Sequence, residues 1–234
     1  MHANVISLHI GRSRRIESGE SGEWWDKPWE TGFYKERVSA PVWLGYEGFR
    51  GDEQSDRRFH GGAEKAVCTY PAGHYAYWRN HLSMPDLPHG AFGENLTIQG
   101  LSEKELHIGD CFAIGEAEVQ VSQPRQPCCK LARRWQIKDL ALQVEQTGFT
   151  GCYFRVIRHG FVTPGDKLIL LDRPFPEWSI ERCNEIMHHL KSNHQAAREL
   201  ASCPLLSSSW KDALWLRAEK DNAAPTTKRT SQPE

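Results

Sequence analysis

Residues 109–135 read GDCFAIGEAEVQVSQPRQPCCKLARRW, and this stretch decides the fold. Two short apolar runs, residues 111–114 and 117–121, flank Gly115-Glu116, the signature of a tight β-hairpin. Pro124 ends the second run because proline cannot donate to a sheet ladder, and Pro124 and Pro127 hold the chain extended up to Cys128 and Cys129. A chain that turns back on itself here is expected to be built from short antiparallel strands.

The neighbouring sequence repeats that texture. NVISLHI (4–10), APVWLG (40–45), GENLTIQG (93–100), CYFRVIRHG (152–160) and DKLILL (166–171) all read as strands bounded by turn residues. HIGDCFAI (107–114) and TPGDKLIL (163–170) share the form Gly-Asp-x-apolar-x-apolar, a turn feeding a strand, which reads either as two turns at equivalent rims of a barrel or as two unrelated turns. Helices are fewer. Tyr75, Trp78 and Leu82 recur at helical spacing, and Leu140, Ala141 and Val144 follow Asp139 as an N-cap. Beyond the proline-rich LDRPFPEW (171–178), Ile180, Cys183, Ile186, Met187 and Leu190 share one helical face, and residues 196–201 and 208–218 form two more amphipathic segments.

The predicted architecture is mainly β. An N-terminal strand and a Trp-rich insertion (1–37) form part of the barrel or cover its mouth, a β-barrel with a few helices follows (38–172), and then a small three-helix domain (177–219) and a polar, disordered tail (220–234). The insertion, with Trp24, Trp25 and Trp29, reads either as packing over the barrel or as a flap for a partner.

Composition excludes several function classes. The 29 lysines and arginines are balanced by 30 acids, so no global field draws the protein to nucleic acid or to an anionic membrane. No apolar run is long enough for a membrane span, and the N-terminus lacks a signal peptide, so a cytoplasmic location is expected. The seven cysteines are an odd, dispersed set expected to remain thiols, with no C-x-x-C pair to suggest structural zinc or an iron–sulfur cluster.

Three constellations carry chemistry. In GFRGDEQSDRRFHGGAEKAV (48–67), Gly61-Gly62 lets the backbone approach an anionic ligand, beside Asp52, His60 and Lys65; an ordinary charged loop has the same composition. In GAFGENLTIQG (90–100), Asn95 offers an amide and Glu94 a carboxylate, or the segment is simply a turn before a strand. In the opening stretch, Arg125, Lys130, Arg133 and Arg134 are expected to lower a thiol pKa and favour a reactive thiolate; a buried, inert cysteine is the alternative.

Taken together, GDEQSDRRFHGGAEKAVCTYP, FGENLTIQGL, IGDCFAIGEAEVQVSQPRQPCCKL and GFTGCYFRVIRHGFVTPGDKL resemble the MOSC family, named after the C-terminal domain of molybdenum cofactor sulfurase, in its YiiM-like branch of 6-N-hydroxylaminopurine resistance proteins. The resemblance implies a β-barrel that holds molybdenum cofactor. The family pattern Pro-Arg-x-Pro-Cys-x-Lys-Leu falls on Pro124, Arg125, Pro127, Cys128, Lys130 and Leu131, which makes Cys128 the metal ligand and Cys129 a variable position. His60, Gly61, Gly62 and Asn95 would line the cofactor pocket, and Arg125, Lys130 and Arg155 would suit the pterin phosphate. The implied reaction is reduction of a small N-hydroxylated substrate, with His60 or Asp52 supplying protons and a separate redox protein supplying electrons. Sulfur carriage on a Cys128 persulfide, or a binding module without catalysis, are the rival readings.

Overall fold

The computed structural model describes residues 3–219, less the side chains of residues 58 and 59; the tail 220–234, expected to be disordered, lies outside the described residues. The strands are β1 (Ala3–Ile10), β2 (Arg14–Ile16), β3 (Trp29–Thr31), β4 (Glu36–Val38), β5 (Val42–Gly45), β6 (Gly48–Phe49), β7 (Val67–Pro71), β8 (Leu96–Gln99), β9 (Cys111–Ile114), β10 (Ala117–Pro124), β11 (Cys152–Arg158), β12 (Gly160–Val162) and β13 (Lys167–Asp172). The helices are α1 (Arg57–His60), α2 (His74–His81), α3 (Lys130–Trp135), α4 (Leu140–Thr147), α5 (Ile180–Asn184), α6 (His194–Ala201) and α7 (Ser208–Glu219).

Seven strands close into a barrel in the order β13-β9-β10-β11-β7-β8-β1, with β1 returning to β13, and β4 extends the sheet beyond β1. The hairpin at Gly115-Glu116 sets the register of β9 on β10, pairing Ile114 with Ala117 and Phe112 with Val119. All barrel pairings are antiparallel except β7 with β8, whose connection runs through α2. Alternation along each strand sends Leu8, Leu96, Phe112, Val119, Val121 and Phe154 inward, where they fill the barrel. Truncating one such aromatic to alanine costs about 3–5 kcal/mol, so this interior supplies stability.

Two apolar clusters flank the barrel wall. Residues of the three C-terminal helices, among them Ile180, Cys183, Leu200, Trp210 and Leu214, join the barrel's own core. On the opposite, outward face of β7, Tyr70 packs with Tyr75 and Trp78 of α2, Leu131 of α3, and Leu140 and Val144 of α4. Trp29 and Tyr34 of the Trp-rich segment pack on this outer cluster. The insertion therefore covers the outside of the barrel wall rather than its mouth. Arg133 holds it there, standing 5.8 Å from the Trp24 ring centroid and 5.4 Å from that of Trp29, with Nη1 donating to Lys27 O.

Two local expectations are corrected. The two Gly-Asp turns lie at opposite rims, because β9 and β13 are antiparallel neighbours pairing Ile114 with Leu168 and Cys111 with Asp172. Asp139 stands before α4, but its carboxylate accepts from Gln143 Nε2 instead of capping a backbone N–H. The first helix of the C-terminal unit begins at a true cap, Ser179 Oγ accepting from Arg182 N, then widens into a π-turn over Glu185–His189.

Candidate functional site

The site is built on the outer face of β7 and β11. Register pairs Cys68 with Tyr153, so both side chains leave the barrel wall on the same side, while Cys152 and Phe154 point into the core. Where β10 ends at Pro124, Arg125 keeps one more sheet-like bond, its N donating to Gly151 O, which carries its guanidinium onto the same outer face. Pro127 and the first turn of α3 then place Cys128 beside it; Leu131 N donates to Cys128 O, and Cys129 sits outside as an exposed thiol. The result is an open cleft of about 530 Å³, walled by Cys68, Tyr153, Arg125, Cys128 and Lys130 from the barrel side and by Phe33, Lys35, Asp52, Gln54, His60 and Lys65 from the loops above.

Electrostatics in the cleft are governed by burial. Burial pushes the Cys128 thiol up, with Arg125 opposing it. This corrects the expected lowering: Arg133 and Arg134 are turned toward aromatic rings, which leaves desolvation the larger effect. Burial pushes the Cys68 thiol, which lines the cleft, up to about 11. His60 is lowered to about 4, first by burial and then by Lys130, Arg125 and Lys65, so its imidazole is neutral at physiological pH. Arg125 is buried and its Nη1 has no hydrogen-bond partner, a donor aimed at nothing in the protein itself.

The structure brings together Cys128, His60, Asp52, Asn95, Arg125 and Lys130. Asp52 is tied into the rim of the cleft. Its carboxylate is ion-paired with Lys35 and accepts from Gly11 N, Asn95 Nδ2 and Gln54 Nε2, which fixes the loop. Gly61 and Gly62 do not line the cleft. Gly62, with φ +89°, starts the short turn Ala63–Lys65 and so swings His60 and Lys65 inward from either side.

Arg155 is not brought in. It shares the outer face of β11 with Tyr153 but stands two residues, about 7 Å, further along the strand. There it donates to Gln120 Oε1 and Leu205 O and meets Glu64, joining the barrel to the C-terminal helices.

Lys35, Cys68, Tyr153 and Phe33 escaped the sequence reading. Cys68 and Tyr153 look like ordinary strand residues until register sets them side by side, and Lys35 lies in a stretch with no motif of its own.

Comparison with known proteins agrees with this architecture. Residues 56–169 match the MOSC domain, and residues 178–219 match the YiiM-like 3-alpha helix domain. The chain belongs to the MOSC family, in its YiiM-like branch. It is 44% identical to the uncharacterized protein YflK of Bacillus subtilis, over 93% of this chain and 95% of that one. The crystal structure of YiiM from Geobacillus stearothermophilus, 36% identical, superposes with a TM-score of 0.77 over 92% of this chain and 99% of the other. A protein of Gibberella moniliformis named "Reductase" is 33% identical over 83% of this chain, which spans 34% of its length.

MOSC domains as a family are associated with molybdenum cofactor. The donor set in the cleft fits that group: a soft sulfur for the metal at Cys128, and an unpartnered guanidinium donor with lysines nearby for an anionic phosphate.

Proposed function

We propose that the chain binds molybdenum cofactor through Cys128 and reduces small N-hydroxylated compounds, such as hydroxylaminopurine base analogues, to the amine. The observation that carries this reading is the pairing of Cys128 with the orphaned Nη1 of buried Arg125 in one cation-lined cleft. Membership of the MOSC family and similarity to part of a longer protein named as a reductase support it. The balanced reaction is R–NH–OH + 2 e⁻ + 2 H⁺ → R–NH₂ + H₂O, with the electrons delivered by a separate redox protein.

When bound, the cofactor supplies a metal able to change by two electrons against the N–O bond. The chain's own groups do the rest. Cys128, whose thiol burial pushes up, would hold the metal through its sulfur and would release its proton on doing so. Arg125 and Lys130 would hold the phosphate, Lys130 being steadied by its Nζ bond to Ser55 Oγ. Neutral His60 is suited to receive and hand on a proton rather than to store one. Asp52 and Asn95 hold the rim in place.

Metal analysis of protein made in cells competent for cofactor synthesis tests the reading. Near-stoichiometric molybdenum is expected in the wild type and in Cys129→Ser, with loss in Cys128→Ser, alongside reduction of 6-N-hydroxylaminopurine by the loaded protein with an artificial electron donor. Equal loss in both variants sinks the ligand assignment. Bound molybdenum without turnover sinks the reductase assignment and favours sulfur carriage or storage.

A further inference from the structure

A second cleft, of about 510 Å³, adjoins the Cys128 pocket and shares Phe33 and Lys35 with it as a common wall. Its cations are Arg14 from β2, Lys35, and Arg134 from α3; the carboxylate among its lining residues is Glu36. Arg14 and Arg134 each stand 4.5 Å from the centroid of the same ring, that of Tyr34, and Arg134 also lies 4.2 Å from the Trp135 ring centroid. Among the described residues, neither guanidinium makes a hydrogen bond or an ion pair through its side chain.

Stacking uses the face of a guanidinium and leaves its in-plane N–H groups free, the arrangement that matches the oxygens of a phosphate. Two guanidinium cations carried by one ring repel each other, and a dianion that both contact would relieve that repulsion. The aromatic mounts also fix the side chains, which lowers the ordering cost of binding. The cleft lies across Phe33 and Lys35 from the pocket where the N–OH group is to react, so a ligand that serves both must reach from one to the other past these two side chains.

We propose that this cleft is the phosphate subsite of a nucleotide substrate, with the N-hydroxylated base of a nucleoside monophosphate directed toward Cys128 and its 5′-phosphate held by Arg14 and Arg134. The inference rests on the reductase reading for the chemistry at the base, but its binding component stands apart from turnover.

Two measurements on the full chain separate the possibilities. In thermal-shift titrations, adenosine 5′-monophosphate is expected to stabilise the protein where adenosine does not, and Arg14→Gln or Arg134→Gln should abolish the difference. In steady-state assays of the molybdenum-loaded protein, kcat/KM for 6-N-hydroxylaminopurine riboside 5′-monophosphate should exceed that for the riboside by about tenfold or more, as expected for a charge-assisted contact. That ratio should fall toward one in either variant. Arg14→Lys and Arg134→Lys, which keep the charge but lose the planar fork, should retain part of it and guard against a folding defect in the glutamine variants.

Equal response to nucleoside and nucleotide in both measurements overturns the subsite. Loss of molybdenum from Arg14→Gln and Arg134→Gln also overturns it, since the cleft would then serve the cofactor's own phosphate. Nucleotide stabilisation that depends on both arginines, with no turnover of any substrate, leaves the subsite standing and removes the reductase reading instead.

Discussion

Asn95 donates from Nδ2 to Asp52 Oδ2 at 3.0 Å, joining the residue before β8 to the loop after β6 across the rim of the cleft. The same amide accepts from Cys68 N on Oδ1 at 3.1 Å and donates to His9 O, so one buried side chain ties together β7, β1 and the Asp52 loop. Asn95→Leu should cost about 1–3 kcal/mol by orphaning those buried groups. Asn95→Asp should cost more, because it sets a second carboxylate against Asp52 with Lys35 as the ion-pair partner between them. Urea denaturation of both variants checks the order, and an aspartate variant as stable as wild type would contradict it.

Arg155 is expected to be structural. Its guanidinium meets Glu64, whose carboxylate accepts from Ser208 N and Ser208 Oγ at the start of α7, and it donates to Leu205 O. Arg155→Met should lower stability by about 1–3 kcal/mol and loosen the C-terminal helices, seen as faster amide exchange in α7, with molybdenum content kept. Molybdenum loss without destabilisation would restore Arg155 to the cofactor site.

The Trp-rich segment should depend on Arg133. Arg133→Met removes the cation between Trp24 and Trp29 and the bond to Lys27 O, with an expected cost of about 0.5–2 kcal/mol. A red shift in tryptophan emission and faster proteolysis near residues 24–29 are the expected readouts. Unchanged emission and cleavage would show that the segment is held by Trp29 and Tyr34 packing alone.

His60 gives the site a pH signature. Its folded pKa of about 4 lies below the ordinary value of 6.5, so between those limits the unfolded chain binds more protons than the folded one. Its contribution to stability is complete above about pH 6.5 and is lost as pH falls toward 4. In the difference between wild type and His60→Gln, stability should therefore rise with pH through that window and be flat above it. An NMR titration midpoint for His60 near 6.5 would show that burial does not govern this group.

Much of the site was legible in sequence because its parts are local. Pro124, Arg125, Pro127 and Cys128 lie within five residues, and the strand end that poses them is written in the prolines themselves. Lys35, Cys68 and Tyr153 were not legible, because they meet only through strand pairing across long sequence separations, and nothing in a lysine or a strand cysteine announces its partner. Arg155 failed for the complementary reason: alternation gives its face but not its place along that face.

By itself, then, the sequence determined the strand-and-turn alphabet, the three C-terminal helices and the pose of Cys128, since each follows from periodicity, proline and glycine within a short window. Only the tertiary structure decided that the barrel interior is filled and the cleft lies outside it. It also decided that desolvation outweighs the nearby arginines at the Cys128 thiol, and that Arg133 and Arg134 serve the aromatic insertion. Burial and charge pairing depend on what the rest of the chain places around a residue, and that is a property of the closed barrel rather than of any one segment.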